Sequence, residues 1–216
     1  MKIKPEDKAR FKRAYLQLSR LERLTDVVYA LVIWHLFSLV PTPTAEEWNG
    51  GAPGAFLTEN ATALALVFIA IAVSIIYWIQ NNTLFGNLER TDTRHTSLSI
   101  LQIFFLLLFL LSMKLGIELG GSLRSRVFES VTAALVGIAG GWAWSHAIKE
   151  RRLLLPEVTD SYARQLQDRI LAEPITATIT ILLAFAGPVF WEVGWLSYPF
   201  IVILVRRRRE RRHPVE

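Results

Sequence analysis

Long apolar segments separated by short charged ones dominate the pattern of this chain. Four of these segments approach the roughly 20 residues that a helix needs to cross the hydrocarbon layer of a membrane. They lie at about 24–40, 61–79, 98–113 and 127–147. In the fourth segment Gly137, Gly140 and Gly141 form a smooth strip that favours the close approach of another helix.

The last apolar region, 174–205, needs separate treatment because of its length. As one helix at 1.5 Å per residue it would be about 48 Å long, which exceeds an ordinary span. Gly187-Pro188 interrupts the region, and proline is a poor continuation of a helix. The pattern therefore predicts two short spans, at about 175–187 and 190–205, joined by a tight outer turn.

The distribution of charge orients these spans. The loop at 41–58 contains Glu46 and Glu47 but no Lys or Arg, which is typical of an external loop. Six spans place the loops at 80–97 and 149–173 and both termini in the cytoplasm, whereas five would translocate the arginines of 206–212. We predict an all-α polytopic membrane protein with six transmembrane helices, both termini cytoplasmic.

The organisation that follows is a single six-span domain over residues 1–216, multi-pass in the inner cell membrane. Residues 1–19 are predicted as a basic cytoplasmic helix at the membrane surface that leads into the first span. Residues 157–173 have the composition of an exposed helix, and 206–216 form a basic tail. The net charge of +5 is concentrated at the termini, which favours contact with anionic lipids over nucleic acid.

Composition excludes several kinds of chemistry. There is no cysteine, so the chain has no disulfide and no thiolate nucleophile or ligand. The four histidines, His35, His95, His146 and His213, have no metal-ligand spacing, and no phosphate-binding or dinucleotide-binding glycine motif occurs. We therefore predict that the protein is not an enzyme and has no cofactor or metal site.

The first apolar segment is unusual because it contains ionisable groups, which are costly inside a membrane and mark functional positions. Leu31, His35 and Ser38 share one helical stripe, with Trp34 on its flank. If several copies met around an axis, Leu31 would form a hydrophobic ring and His35 and Ser38 wider polar rings. Alternatively, these residues pack inside a single bundle, where His35 hydrogen-bonds a backbone or tyrosine partner.

Asp26, near the start of the same segment, needs a polar partner if it is buried. Trp78 and Asn82 carry hydrogen-bond donors at the inner end of the second span, at the same membrane level. We predict a polar cluster that fixes the first span against the second. Its members are Arg20, Thr25, Asp26, Trp78 and Asn82.

The segment Arg20-x-x-x-Leu24-Thr25-Asp26 resembles the R-x-x-x-F-S-D signature of the transmembrane protein 175 family of potassium channels and their bacterial homologues. The second span resembles the same family. The residues that carry this second similarity are Ser74, Tyr77, Trp78, Asn82, Phe85 and Asp92.

This resemblance implies a homotetramer of six-span subunits in which the first span of each lines a central pore. It implies that Leu31, five positions after Asp26, forms the constriction. Trp34 stands where the family has a threonine tied to potassium selectivity, and His35 and Ser38 occupy further pore positions. Like the family, the chain has no selectivity-filter loop of the usual potassium-channel type.

We therefore expect a potassium-favouring cation channel with a constriction at Leu31. An absence of acids within the spans that could bind a coupled substrate supports this expectation. The alternative is a proton-coupled transporter or proton-conducting protein that uses Asp26 and His35. A non-conducting scaffold is disfavoured because the chain has no sizeable soluble domain.

Overall fold

The computed structural model describes residues 5–50, 53–119 and 121–212, and within these ranges the chain is helical without a β-strand. Residues 1–4 of the predicted N-terminal helix and 213–216 of the predicted tail, with His213, lie outside the described residues. The helices are α1 (Pro5–Phe37), α2 (Ala45–Asn49), α3 (Pro53–Glu59), α4 (Ala61–Phe85), α5 (Thr93–Glu118), α6 (Leu123–Ile148), α7 (Asp160–Ala186), α8 (Pro188–Trp195) and α9 (Tyr198–Arg212). A 3₁₀ turn, Lys149–Arg151, follows α6.

The helices α5, α6 and α7 form the centre of the bundle, with α6 in the middle. The glycine strip of α6 lets both neighbours approach closely. Gly137 lies against Pro174 of α7, and Gly140 lies against the Gln102 side chain of α5. On the other side, α1 packs against α4 and α5, and α8 and α9 pack against α7.

Three helical segments of the described residues are long and apolar enough to cross a membrane: Thr93–Glu118, Leu123–Arg151 and Asp160–Ala186. The consecutive helices α8 and α9 form a bent pair, with an angle of 51° between them, which could serve as a fourth span. The helix α1 is not in this set, because its uncharged end, after Asp26, is shorter than a membrane span. The chain is thus a membrane-type helical bundle, and the count of six spans and the side of the termini stay predictions.

The C-terminal third differs from the sequence prediction. A single helix, α7, replaces both the exposed helix expected at 157–173 and the short span expected at 175–187. Pro174 lies inside this helix and is buried, because tertiary packing against α6 holds the helix together across the missing backbone hydrogen bond. The charged segment and the apolar segment therefore belong to one element.

The predicted interruption at Gly187-Pro188 is confirmed. Gly187 has φ 132°, a conformation that side chains disfavour, and Pro188 begins α8. The expected span at 190–205 is itself broken, since α8 ends at Trp195 and α9 begins at Tyr198. This half of the region is therefore two short helices rather than one.

One end of the bundle is closed by two loops that pair with each other. The backbone N–H of Glu89 donates to the Leu153 carbonyl at 2.9 Å, and that of Leu155 donates to the Asn87 carbonyl at 3.1 Å. Leu18 of α1 packs in the same apolar cluster as these loops.

The described part of the N-terminal helix predicted at 1–19 is the beginning of α1. It continues without a break into the first apolar segment.

Candidate functional site

The helix α1 buries one face against the bundle. Its buried side chains recur every three or four residues, as an amphipathic helix requires. They are Leu18, Leu21, Thr25, Tyr29, Val32 and Leu36. This periodicity fixes which face of α1 is turned outward.

The four residues predicted to line a pore lie on the outward face. Leu31 is 61% exposed and Trp34 is 69% exposed, and the side chains of His35 and Ser38 are exposed as well. The Ser38 hydroxyl donates to the His35 carbonyl at 2.6 Å, in the turn that ends α1. None of the four therefore packs inside the bundle of its own chain.

The predicted polar cluster is present only in part. The indole N–H of Trp78 donates to Asp26 Oδ1 at 2.8 Å, which joins α4 to α1. Thr25 is buried but its hydroxyl donates to the Leu21 carbonyl, inside α1. Arg20, Leu24 and Asn82 are exposed.

A second polar link between α1 and α4 was not predicted from the sequence. The side-chain N–H of Asn81 donates to the Tyr29 hydroxyl at 2.7 Å and also to the Tyr77 carbonyl at 3.2 Å. Asn81 is the residue before Asn82, but it lies on the buried side of α4. Its spacing of three from Trp78 was the available signal, because residues three apart lie on neighbouring parts of a helix surface.

One buried acid lies just outside the apolar segments that the sequence indicated. Glu173 lies within α7 and is 6% exposed. The side chains of Tyr77 and Gln80 hydrogen-bond its carboxyl group, while Oε1 has no hydrogen-bond partner. Sequence analysis missed this residue because it took Pro174 as the start of the apolar region.

At the loop end of the bundle, Asp92 connects α5 to α6. Its Oδ1 accepts the backbone N–H of His95 and caps α5, while Oδ2 lies 2.7 Å from His146 Nε2 of α6. Partial burial raises the pKa of Asp92, but the hydrogen bonds from the His95 N–H and from His146 outweigh it, so this pKa is lower than that of an ordinary aspartate. The carboxylate therefore stays charged and holds the two helix ends together.

Among the described residues, no group of three or more His, Asp or Glu side chains could hold a metal ion. The polar groups are instead used to join helices. The arrangement thus combines a bundle with internal hydrogen bonds and one helix, α1, whose outward face carries polar and large apolar residues side by side.

Comparison with known proteins shows which proteins this chain is similar to. Residues 20–109 match the sequence pattern of the family described as endosomal/lysosomal potassium channel TMEM175. The fold is similar to the crystal structure of a variant of the potassium channel MtTMEM175 in complex with a Nanobody-MBP fusion protein, with a TM-score of 0.64 and 17% sequence identity. The similarity covers 89% of this chain and 93% of that one. No curated protein matches the chain in sequence.

Proposed function

We propose that this chain is a cation channel favouring potassium, with a pore lined by α1 of each subunit. The match of its residues 20–109 to the TMEM175 potassium channel family supports this proposal. The assembly we propose is a homotetramer in the inner cell membrane, with both termini cytoplasmic. Residues 1–216 form one channel domain. Its ligands are potassium ions, and no cofactor takes part.

The observation that carries this proposal is the outward face of α1. His35 and Ser38 share that face with Leu31 and Trp34. A face turned to lipid would leave an imidazole in hydrocarbon, which is costly. The outward face of α5, by comparison, carries Phe104, Leu107 and Leu111 at its centre. The face of α1 therefore suits contact with other copies around a wet axis.

Within such a pore, Leu31 is the constriction. A ring of leucine side chains can stop ion flow by excluding water from a narrow passage. His35 and Ser38 follow at one and two turns along the helix and would line wider, polar levels. Trp34 replaces the threonine expected from the family, so the proposed potassium preference rests on the resemblance to the family and not on that position.

The hydrogen bond between Asp26 and Trp78 gives these two residues a supporting role. It holds α1 against α4 near the start of the first apolar segment, so the outward face keeps its angle. Arg20, Leu24 and Thr25 are the signature positions around it. We assign the arginines of α9, of which Arg206 and Arg207 are exposed, to contact with anionic lipids and not with nucleic acid.

The test is ion flux from liposomes that contain the purified protein, with potassium and sodium gradients run in parallel. Wild-type protein is expected to release potassium faster than sodium. Leu31→Ala should raise the flux several-fold, because the constriction widens. Leu182→Ala is the matched control, since Leu182 is 70% exposed on α7, away from α1, and its removal should leave flux unchanged.

Unchanged flux in a folded, tetrameric Leu31→Ala protein would remove Leu31 from the pore. Equal potassium and sodium flux would keep the pore and discard the selectivity. No flux from a tetrameric protein would point to a closed gate or to a carrier.

One observation favours a second candidate, a proton-coupled transporter or proton-conducting protein that uses Asp26 and His35. Carriers are often built with discontinuous helices, and α8 and α9 are such a bent pair. A carrier would take up ions when a proton gradient is imposed and would saturate with ion concentration. Loss of that uptake in both Asp26→Asn and His35→Ala would favour the carrier over the channel.

A further inference from the structure

Glu173 is a carboxyl group that the proposed pore does not use. It is 6% exposed and lies in α7, which packs against α6 and α9, and it faces Tyr77 of α4. Burying a carboxylate without a counter-charge costs many kcal/mol, so such a group is either paired, bound to a cation or protonated. The surroundings of Glu173 distinguish these three states.

No cation pairs with this carboxyl group in the described residues. The salt bridges found there involve other acids. The titratable groups that face the site are Tyr77 of α4, Tyr29 of α1, Tyr198 of α9 and, on α7 itself, Arg169. Arg169 is exposed, and no ion pair joins it to Glu173. On α6, the facing residue is Gly137, which has no side chain.

Among the described residues, no group of three or more His, Asp or Glu side chains that could hold a metal ion includes Glu173. A Cβ atom at Gly137 would lie only 3.2 Å from Glu173 Oε1 and 2.7 Å from Pro174 Cδ. The backbone of α6 therefore already covers this oxygen. A proton is the one positive charge that needs no additional volume there.

We propose that Glu173 is a proton-binding site, held as a neutral carboxylic acid between α4, α6 and α7. Tyr77 and Gln80 hydrogen-bond the carboxyl group from α4. Pro174 has no N–H to donate to the Ile170 carbonyl, one turn before Glu173, so α7 itself offers an acceptor for the acid proton.

This site is connected to α1. Tyr77, which hydrogen-bonds Glu173, also offers its backbone carbonyl to Asn81, and Asn81 donates to Tyr29 of α1. Loss of the proton would place an unpaired charge at one end of this chain. If α1 lines the pore, the proton on Glu173 then affects conduction, and this one step rests on the proposed function.

Infrared spectroscopy of the full chain in liposomes tests the site without any ion gradient. A protonated carboxylic acid has a carbonyl stretch separate from the bands of carboxylates and amides. Wild-type protein should show this band at neutral pH, and Glu173→Gln should lose it. Tyr77→Phe should keep the band but shift it, because a hydrogen bond to the acid is removed.

Two controls make the assignment specific. Glu192→Gln changes an exposed acid in α8 and should leave the band intact. Glu129 of α6 is a second partly buried acid, so wild-type protein and Glu173→Gln are also compared in a Glu129→Gln background, where the band should still depend on Glu173. A band that is the same with and without Glu173 in that background would overturn the proposal, as would the absence of the band in wild-type protein.

Flux provides the test of the connection to α1. In a His35→Ala background, flux should change over the pH range in which the band disappears, and the added Glu173→Gln change should remove that dependence. A flux that follows pH equally in both proteins would overturn the connection. A protein without any flux would count against the proposed function alone, because the infrared band is measured independently.

Discussion

Replacing Gly137 with alanine tests how closely α6 and α7 pack. The added Cβ would lie 2.7 Å from Pro174 Cδ and 3.1 Å from Pro174 N. Carbon atoms prefer separations of about 3.5–4.0 Å, so the shortfall is about 0.8 Å. The proline ring is fixed to the backbone and cannot rotate away, so the two helices must separate.

Overpacking of this kind costs about 1–3 kcal/mol, while alanine gains about 1 kcal/mol over glycine in a helix. Gly141→Ala gains the same helix propensity, but its Cβ would meet Ile170 Cγ2 at an ordinary 3.6 Å. The difference in unfolding free energy between the two variants should therefore be about 1–3 kcal/mol, with Gly137→Ala the less stable. Gly140→Ala should fall between them, because its neighbour is the flexible Gln102 side chain.

The assay is thermal unfolding of the three purified variants in detergent, followed by loss of the monodisperse elution peak. A difference of 1 kcal/mol corresponds to about 2–4 °C for a chain of this size. Gly137→Ala should unfold several degrees below Gly141→Ala. If Gly137→Ala were as stable as Gly141→Ala, the close packing of α6 on Pro174 would be refuted.

Three further predictions concern polar groups. Trp78→Phe should lower the free energy of unfolding by about 1 kcal/mol, because Asp26 loses its indole donor. Trp34→Phe, on the exposed face, should leave it unchanged. Equal effects of the two changes would contradict the structural role of the Asp26–Trp78 pair. Conduction should change between about pH 5 and 8 if His35 lines the pore, and a His35→Ala channel with the same pH response would exclude His35 as its source. The pKa of Asp92 is lowered in the folded state, so its charge stabilises the fold above the ordinary aspartate pKa of about 3.9 and ceases to do so as pH falls through the lowered pKa. When unfolding is measured as a function of pH, Asp92→Asn should therefore lose less stability than the wild type below about pH 4. Asp160→Asn, which removes an exposed ion pair with Arg151, should follow the wild type. Identical acid profiles for the two variants would count against the bond between Asp92 and His146.

The resemblance to the TMEM175 family and the helical membrane fold were predictable from the sequence. Asp26 with Leu24 and Arg20 carried the family signature, and the match over residues 20–109 confirms the resemblance. The apolar segments indicated where the helices lie. An apolar segment inside a membrane must satisfy its backbone hydrogen bonds internally, and a helix does so. The break at Gly187 was equally visible, since a glycine followed by proline ends a helix for local steric reasons.

Other features depended on contacts between distant residues. Pro174 is a helix breaker by local rules, yet it lies within α7 because Gly137 of α6 packs against it. Because Pro174 was taken as the start of the apolar region, Glu173 was predicted at the end of the cytoplasmic loop 149–173. In the structure, packing buries it beside Tyr77. The pairing of Asp92 with His146 had no signal in their spacing, because 54 positions separate them along the chain.

Sequence and structure therefore determined different properties of α1. The period of its apolar residues showed that Leu31, His35 and Ser38 share one stripe, which follows from helix geometry alone. The contacts with α4 decided which stripe is buried, because Asn81 donates a hydrogen bond to Tyr29 and Trp78 donates one to Asp26. A helix with polar groups on several faces is oriented by the neighbours that satisfy them, and those neighbours are fixed only when the whole chain is folded.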